Sequence, residues 1–323
     1  MPLLLTHQDV CASVTMADAI EAMEQAFREQ GEGQVVQPQR LNVTAGKGWL
    51  RVGPAILNAS GWMGFKAMNM AAGVGVRYQV HLYRIADGEL VAIMDAQHLT
   101  TLRTGATSAV ATRRLARQEP ACIGVFGSGA EARAQIEAMH ALGLDREIRI
   151  YSPTPANRER LAAELAQAWH KPVEAVDEPR RAVDGCGIIV AAVKSSEPVL
   201  FGEWLAPGTH VSSIGTARRD QREIDPSTFQ RSAVVVVDTR EGVFGEAGDA
   251  VAAKDVFMPE QAYELADVVV GKAPGRTSPE QITLFKSVGT AVQDVAMAAC
   301  IYHKARERGL GTELAGFPIV KKM

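Results

Sequence analysis

The residues best suited to chemistry lie in the segment ACIGVFGSGAEA at positions 121–132. Residues 122–126 have the apolar pattern of a buried strand, and they are followed by Gly127, Gly129 and Ala132. The first glycine permits a tight turn, the second lets backbone approach a pyrophosphate, and a small third residue lets helix and strand pack closely. Amide groups at the N-terminus of the helix would bind phosphate. The segment predicts a dinucleotide-binding loop, with an ordinary glycine-rich turn as the alternative.

Strands and helices alternate around this loop, which is typical of a doubly wound parallel sheet. Strands are predicted at 122–126, 147–151, 187–193, 209–214 and 233–237. Helices are predicted at 130–142, 155–170, 257–266 and 279–299. We therefore predict an α/β fold in which a Rossmann domain, residues 118–290, is inserted into a discontinuous α+β domain. That second domain would consist of residues 1–117 together with 291–323.

The N-terminal region follows a different pattern. Apolar residues at three- and four-residue spacing predict an amphipathic helix over residues 15–29. Residues 40–95 are strand-like and rich in glycine turns, and residues 98–117 predict one helix with Thr100 or Thr101 as its N-cap. The region is therefore expected to form a sheet with helices beside it.

The end of the second Rossmann strand indicates which cofactor is bound. An acidic residue normally stands there and binds the ribose 2′-hydroxyl of NAD, but this chain has Ser152. Neutral or cationic residues follow, namely Thr154, Asn157 and Arg158, and they suit a 2′-phosphate. NADP is therefore favoured. NAD remains the alternative, with Arg158 then an ordinary solvated helix residue.

Composition excludes several classes of function. The chain has 323 residues, 47% of them hydrophobic, and a net charge of −3, which disfavours nucleic acid and anionic membranes as partners. No apolar run approaches the roughly 18 residues needed to span a bilayer, and the N-terminus lacks the basic region of a signal peptide. The four cysteines are scattered, so we expect neither a disulfide nor a metal site, and a cytoplasmic location.

Five segments, in the same order along the chain, resemble the ornithine cyclodeaminase/mu-crystallin family. They are GFKAMNM at 64–70, DAQHLTTLRTGATSAVATRRLA at 95–116, GSGAEARAQ at 127–135, SSIGTARRDQREID at 212–225 and ITLFKSVGTAVQDVA at 282–296. The resemblance implies a Rossmann domain, a substrate-binding and dimerisation domain, and a homodimer. It also implies a small α-imino or α-amino acid as substrate.

The resemblance implies roles for three cationic residues. Arg40 falls at the position of a carboxylate-binding arginine, Lys66 matches the lysine at the substrate, and Arg103 matches the arginine that bridges substrate and cofactor. A guanidinium binds a carboxylate through two hydrogen bonds. A lysine crowded by two arginines should have a lowered pKa, which suits proton transfer. The alternative is that Lys66 serves only as a charge clamp on the carboxylate.

The other predicted positions belong to the cofactor site, where the loop Ile214–Gly215 is implied to meet the nicotinamide. The predicted cofactor-binding residues are Arg103, Thr104, Gly127, Gly129, Ala130, Glu131, Ser152, Thr154, Asn157, Arg158, Ile214, Gly215, Ser287 and Gly289.

One position departs from part of the family. Cyclodeaminases and the family's alanine dehydrogenases carry an aspartate two residues after the glycine of the nicotinamide loop, where this chain has Ala217. Members resembling mu-crystallin and the ketimine reductases also lack it. We therefore predict NAD(P)H-dependent reduction of an α-imino acid to the α-amino acid, or the reverse. A cyclodeaminase-type lyase with bound NAD and a non-catalytic, mu-crystallin-like binding protein are the alternatives.

Arginines near this position raise a further hypothesis. One of Arg218, Arg219 and Arg51 could bind a second carboxylate, as in an imino-dicarboxylate such as iminosuccinate. The alternative is that the loop arginines simply face solvent.

Overall fold

The structure, a computed structural model, describes residues 1–318. The chain divides into two compact units. The discontinuous unit contains Met1–Arg103 and the segment that begins at Thr290, and the Rossmann unit is Thr104–Gly289. The division lies inside a long helix, whereas the sequence places the domain boundary after residue 117. The domain assignment made from the sequence stays a prediction.

The discontinuous unit is built on a mixed sheet in the strand order β16-β1-β7-β6-β5-β4-β2, with β3 paired to β4. Its strands are β1 (Leu3–Leu5), β2 (Val35–Val36), β3 (Leu41–Ala45), β4 (Gly48–Leu57), β5 (Trp62–Ala71), β6 (Gly75–Arg84), β7 (Leu90–Asp95) and β16 (Thr312–Glu313). Its helices are α1 (His7–Ser13), α2 (Met16–Gly31), the start of α3 (Gln97–Leu115) and α10 (Ala291–Arg308).

The long antiparallel strands β4, β5 and β6 decide which side chains share a face. Gly53, Lys66 and Val80 are direct neighbours across the three strands, and directly opposed residues point to the same face of a sheet. Helix α10 packs on this face, against β4, β5 and β6. Lys66 therefore points towards a helix that lies far from it in the sequence.

The Rossmann unit contains a parallel sheet in the order β10-β9-β8-β11-β12-β15-β13-β14. Its strands are β8 (Ile123–Phe126), β9 (Ile148–Tyr151), β10 (Val173–Val176), β11 (Ile188–Ala191), β12 (His210–Ser213), β13 (Val234–Val237), β14 (Tyr263–Glu264) and β15 (Thr283–Lys286). Its helices are the rest of α3, α4 (Ala130–Ala141), α5 (Pro155–Trp169), α6 (Pro226–Arg231), α7 (Arg240–Glu246), α8 (Gly248–Ala252) and α9 (Leu265–Val269).

This sheet is buried on both faces, as expected for parallel strands joined by crossover helices. Every residue of β8, β11, β12, β13 and β15 is buried. The strand order reverses between β8 and β11, and ligands of doubly wound sheets bind at the carboxyl edge at such a point. The predicted fold class, a Rossmann doubly wound sheet with a discontinuous α+β unit, is confirmed.

Three predicted elements differ from the structure. The predicted helix 279–299 contains the strand β15, and the helix α10 begins only at Ala291, because a short buried apolar run has no periodicity that separates strand from helix. The predicted helix 257–266 is a 3₁₀ turn at Pro259–Gln261 followed by β14 and α9. The helix α3 begins at Gln97, so Thr100 and Thr101 lie inside it, three and four residues past its first residue, and neither is its N-cap.

Candidate active site

Lys66 lies on β5 with its ammonium group buried in the discontinuous unit, only 7% of the residue being exposed. Its Nζ donates a hydrogen bond to Asp294 Oδ1 at 2.8 Å and another to Thr100 Oγ1 at 3.4 Å. It also lies 6.0 Å from the centre of the Tyr78 ring. Strand, helix and aromatic ring together fix the position of this amine.

Arg103 binds the same carboxylate as Lys66. Its Nε donates to Asp294 Oδ1 at 3.1 Å, and its Nη1 donates to Gln293 Oε1 at 2.9 Å. Gln293 is fully buried, and its Nε2 has no hydrogen-bond partner within residues 1–318. A buried amide donor without a partner is costly, so it marks a place where a ligand would gain a hydrogen bond.

The first turn of α10 holds both of these partners. Thr290 is the N-cap, and its side-chain hydroxyl accepts a hydrogen bond from the backbone N–H of Gln293. Asp294 follows within the first turn, where the positive end of the helix dipole favours a carboxylate. The cap therefore sets the orientation of the turn that binds Lys66 and Arg103.

Arg40 approaches the same site across a glycine. A side chain at Gly53 would meet Arg40 Cγ at 3.4 Å and Ala291 Cβ at 3.5 Å. The aliphatic stem of the arginine therefore lies over Gly53, beside the start of α10. Arg40, Lys66 and Arg103, which the sequence singled out, lie close enough for both guanidinium groups to repel a proton from Lys66.

The pKa of Lys66 is lowered to about 8. Burial is the main cause, and the charges of Arg103 and Arg40 add to it, while Asp294 opposes the shift. The cluster, which we call the Lys66 cluster (Arg40, Lys66, Arg103, Asp294), holds three cations against one carboxylate. It suits an anionic ligand, and its lysine can exchange a proton near neutral pH.

The Rossmann unit contains the glycine loop that the sequence predicts to bind a dinucleotide. Gly127 has φ +118°, and a Cβ there would lie 2.6 Å from the Ala192 carbonyl oxygen. Gly129 is the N-cap of α4 and has open space where a side chain would stand, and no side chain caps the helix among the described residues. Ala130 and Glu131 form the first turn. These amides are placed to bind a pyrophosphate, so the residues fit a dinucleotide.

The position after β9 carries a hydroxyl in place of a carboxylate. Ser152 is buried, and its Oγ accepts a hydrogen bond from Ser128 at 2.9 Å, while Arg158 Nη1 donates to the Ser152 carbonyl at 2.7 Å. Thr154 is the N-cap of α5 and Asn157 lies exposed in the first turn. A cavity of about 170 Å³ beside the glycine loop is lined by Ser128, Gly129, Ala130, Arg133, Arg160 and Leu161.

A buried ion network, the Lys286 network (Lys286, Glu223, Asp249), supports the predicted nicotinamide loop. All three residues are fully buried. Lys286 Nζ lies 2.6 Å from Asp249 Oδ2 and 3.4 Å from Glu223 Oε1. Glu223 accepts hydrogen bonds from the amides of Gly215 at 2.9 Å and Val193 at 3.1 Å. The network thereby fixes the backbone at Gly215, next to Ile214.

Asp238 fixes the backbone of the segment at the end of the Rossmann unit. Its Oδ2 accepts hydrogen bonds from Ser287 Oγ at 2.7 Å, from Val288 N at 3.0 Å and from Gly289 N at 2.6 Å. Asp238 is fully buried. Ser287 and Gly289, both predicted to contact the cofactor, are therefore held in one fixed turn.

Sequence reasoning missed the acidic and amide partners. Asp294 and Gln293 stand in the quoted segment 282–296, but their importance comes from contacts with residues about 190 to 228 positions away. Glu223 and Asp238 carried no signal beyond being acidic residues close to predicted loops. Thr104, another predicted cofactor residue, is buried in α3, at the first position of the Rossmann unit.

Within residues 1–318, no three His, Cys, Asp or Glu residues are arranged to hold a metal ion. No helix in this part of the chain is both long and apolar enough to cross a membrane.

Comparison with known proteins agrees with this architecture. The family model for the ornithine cyclodeaminase/mu-crystallin family matches residues 1–309. Ketimine reductase mu-crystallin of Mus musculus is 31% identical over 300 residues, covering 90% of this chain and 92% of that protein.

Two solved structures extend the likeness over almost the whole chain. Thermococcus litoralis Δ1-pyrroline-2-carboxylate reductase, in complex with NADH and L-proline, is 33% identical with a TM-score of 0.91, covering 97% of this chain and all of that one. An archaeal alanine dehydrogenase dimer with bound NAD is 30% identical with a TM-score of 0.92, covering 98% and 99%. With one family model matching nearly its entire length, this chain belongs to the ornithine cyclodeaminase/mu-crystallin family.

Proposed function

We propose that this chain is an NAD(P)-dependent oxidoreductase that reduces an α-imino acid to the α-amino acid and can run in reverse. The observation that carries the proposal is the Lys66 cluster, in which a buried lysine with a pKa of about 8 lies between two arginines and one aspartate. A carboxylate next to a carbon–nitrogen double bond needs this combination of anion binding and proton supply.

The side chains divide the work as follows. Arg40 and Arg103 bind the α-carboxylate of the substrate, and Gln293 Nε2 offers a further donor. The nicotinamide, when bound, supplies a hydride to the imine carbon. Lys66 gives its proton to the substrate nitrogen, so that one hydride and one proton convert C=N into CH–NH. Asp294 keeps Lys66 and Arg103 in place and takes no part in the redox step.

The residue at the nicotinamide loop favours reduction over cyclisation of ornithine. The loop carries Ala217, so no carboxylate stands at that position to handle a substrate amino group. A reductase acting on a preformed imine needs no such base. A lyase with bound NAD would release ammonia from ornithine without net use of cofactor, which separates the two activities experimentally.

The cofactor that we propose is NADPH, with NADH as the alternative. Ser152 leaves no carboxylate to repel a 2′-phosphate, and Arg158 lies beside it. Arg133 and Arg160 line the neighbouring cavity, although both also pair with Glu164. We expect kcat/KM to be higher with NADPH, and Ser152→Asp to shift the preference towards NADH. Unchanged preference in Ser152→Asp would show that this position does not select the cofactor.

A homodimer is also part of the proposal. Leu41, Val43 and Leu50 are exposed apolar residues on β3 and β4, and the register places Val43 opposite Leu50 on one face. Contiguous exposed apolar residues mark interaction surfaces. Light scattering should report twice the mass of the 34.6 kDa chain. Leu50→Lys should shift the measured mass towards that of a single chain. A monomer at micromolar concentration would reject this assembly.

The test of the activity follows NADPH and NADH absorbance with a panel of imines. The panel contains pyrroline- and piperideine-2-carboxylate, and pyruvate or oxaloacetate with excess ammonia. Consumption of cofactor in step with amino acid formation supports the reductase. Ammonia release from ornithine without cofactor consumption would instead establish a lyase, and binding of the imines without either reaction would establish a non-catalytic protein.

A further inference from the structure

Three side chains on the surface of the discontinuous unit form a second cluster, the Cys11 triad (Cys11, His7, Asp95). Cys11 Sγ lies 3.5 Å from His7 Nε2, and His7 Nδ1 lies 3.2 Å from Asp95 Oδ1. Cys11 is exposed to solvent, and 49% of the His7 side chain is exposed. A thiol, an imidazole and a carboxylate in this order are the parts of an activated nucleophile, and small molecules in solution can reach them.

Strand register and helix geometry bring the triad together. Strand β1 runs parallel to β7 with Leu5 beside Met94, so the residues that follow, at the start of α1 and the end of β7, are also neighbours. His7 is the first residue of α1, and Asp95 is the last residue of β7. Cys11 follows His7 by four residues on α1, and residues four apart lie on the same side of a helix.

Contacts at both ends of α1 hold the helix and the imidazole ring in place. Thr6 forms a capping box at the first turn, and Arg308 Nη1 donates to the Ala12 carbonyl at 2.6 Å near the last turn. The His98 ring packs edge-on against the His7 ring, with 6.4 Å between the ring centres. The imidazole is therefore presented to the thiol in a fixed orientation.

Asp95 decides which nitrogen of His7 carries the hydrogen. A carboxylate accepts hydrogen bonds, so Nδ1 donates to it, and Nε2 is left as the acceptor for the Cys11 thiol. Partial burial and the charge of Asp95 raise the pKa of the Cys11 thiol above its usual value, so the sulfur is protonated at neutral pH. Such a thiol needs an adjacent base in order to attack, and His7 stands at that position.

We propose that Cys11 is a modification site that exchanges with small disulfides, with His7 as its general base and Asp95 as the residue that positions His7. The Cys11 sulfur attacks one sulfur of the disulfide, His7 Nε2 takes the thiol proton, and the S–S bond of the reagent breaks. A mixed disulfide forms on Cys11, and His7 returns the proton to the leaving thiolate. The exchange is independent of the proposed reductase function, because it uses no residue of the Lys66 cluster.

The test measures how fast dithiodipyridine, a neutral disulfide that releases a coloured product, modifies Cys11 in the full chain, with peptide mass mapping to locate the product. At pH 7, Cys11 should react faster in the native chain than in the chain unfolded in urea, because only the native chain places a base beside the thiol. Partial burial and a raised pKa without that base would give the opposite order. His7→Gln should lower the native rate by about tenfold or more, and Cys11→Ser should remove the product.

The pH profile separates a base from a structural neighbour. The wild-type rate should rise in two steps with pH, one for the imidazole and one for the thiol, and His7→Gln should keep only the second step. Asp95→Asn should lower the rate as well, because its amide can donate to Nδ1 and place the hydrogen on Nε2, and Asp95→Glu should restore part of it. His303→Gln at an exposed histidine and Cys300→Ser at a partly buried thiol are the matched controls.

Three results would overturn the proposal. They are a native rate below that of the unfolded chain, a wild-type profile with a single step, and a His7→Gln variant that has the wild-type melting temperature and modifies Cys11 at the wild-type rate. The first two need no variant, so they decide the question even where a substitution disturbs folding.

Discussion

Lys66 and Lys286 are both buried lysines that bind aspartate, but their surroundings give them opposite properties. Lys66 shares one carboxylate, Asp294, with Arg103 and lies near Arg40. Lys286 forms ion pairs with two carboxylates, those of Asp249 and Glu223. Within residues 1–318, Lys66 therefore has one acidic partner and Lys286 has two.

The pKa values follow from this difference. Burial and two guanidinium groups lower the pKa of Lys66 to about 8. Burial also disfavours the charge of Lys286, but Asp249 and Glu223 outweigh it and raise the pKa of Lys286 above its usual value. Burial raises the pKa of Glu223 to about 7. A lysine that exchanges protons near pH 8 suits catalysis, and one that stays charged suits structure.

The hydrogen bonds show the same contrast. Both carboxylates of the Lys286 network accept hydrogen bonds from backbone amides. The Glu223 carboxylate accepts from Gly215 and Val193. The Asp249 carboxylate accepts from the backbone N–H groups of Glu223 and Ile224. Beside the Lys66 cluster, by contrast, lies Gln293, which accepts a hydrogen bond from Arg103 and whose buried Nε2 has no partner in the described residues. An excess of cations with an unused donor indicates a ligand site, whereas carboxylates saturated by amides indicate a support for a loop.

The largest expected effect comes from removing the amine of the Lys66 cluster. Lys66→Met should lower kcat for imine reduction by about 10²–10⁴-fold, because the proton donor is lost. Stability should change little, since Asp294 keeps Arg103 as a partner. Lys47→Met, at an exposed position, is the control. A loss of less than tenfold would leave Lys66 as a charge clamp only.

The corresponding change in the Lys286 network should act on stability. Lys286→Met leaves two buried carboxylates without their cation and should lower the free energy of unfolding by about 3–5 kcal/mol, as measured with urea. The double variant Lys286→Met/Asp249→Asn should recover part of this loss, and Lys254→Met at an exposed site should match wild type. An unchanged free energy in Lys286→Met would contradict the comparison.

The pH profile tests the lowered pKa of Lys66 directly. Reduction uses the protonated amine, so kcat/KM for reduction should fall about tenfold per pH unit above pH 8, and the oxidation rate should rise over the same range. In Lys66→Arg, whose guanidinium stays charged, this step should disappear from the accessible range. A wild-type profile that is flat between pH 7 and 9 would exclude Lys66 as the proton donor.

The smallest effect is expected at the cap of α10. Thr290→Ala removes the side-chain acceptor for the backbone N–H of Gln293. The loss of this cap should lower the free energy of unfolding by about 1 kcal/mol. Because this turn also carries Asp294, kcat/KM should fall severalfold as well. Thr44→Ala, at an exposed strand position, controls for the loss of a threonine. If stability falls without any change in kcat/KM, the cap does not position Asp294.

Local signals in the sequence were sufficient for the Rossmann core and for the residues with a specific backbone role. Gly127 and Gly129 follow an apolar strand and open a helix, and that order is visible without any long-range contact. The strand β15 was predicted as helix because it has only four residues, all of them buried, and a helix begins soon after it at Ala291. So short an apolar run has no periodicity of its own, and it was therefore joined to the helix that follows.

Sequence by itself determined the family, the fold class and the cationic residues of the candidate site, because each is carried by a short segment of fixed residue types. The partners that give those residues their chemistry were decided only by the tertiary structure. Lys66 and Asp294 are separated by 228 positions, and Arg51 joins the face of Lys66 through strand register alone. Charge excess, burial and pKa depend on which side chains meet in space, and no local pattern specifies that meeting.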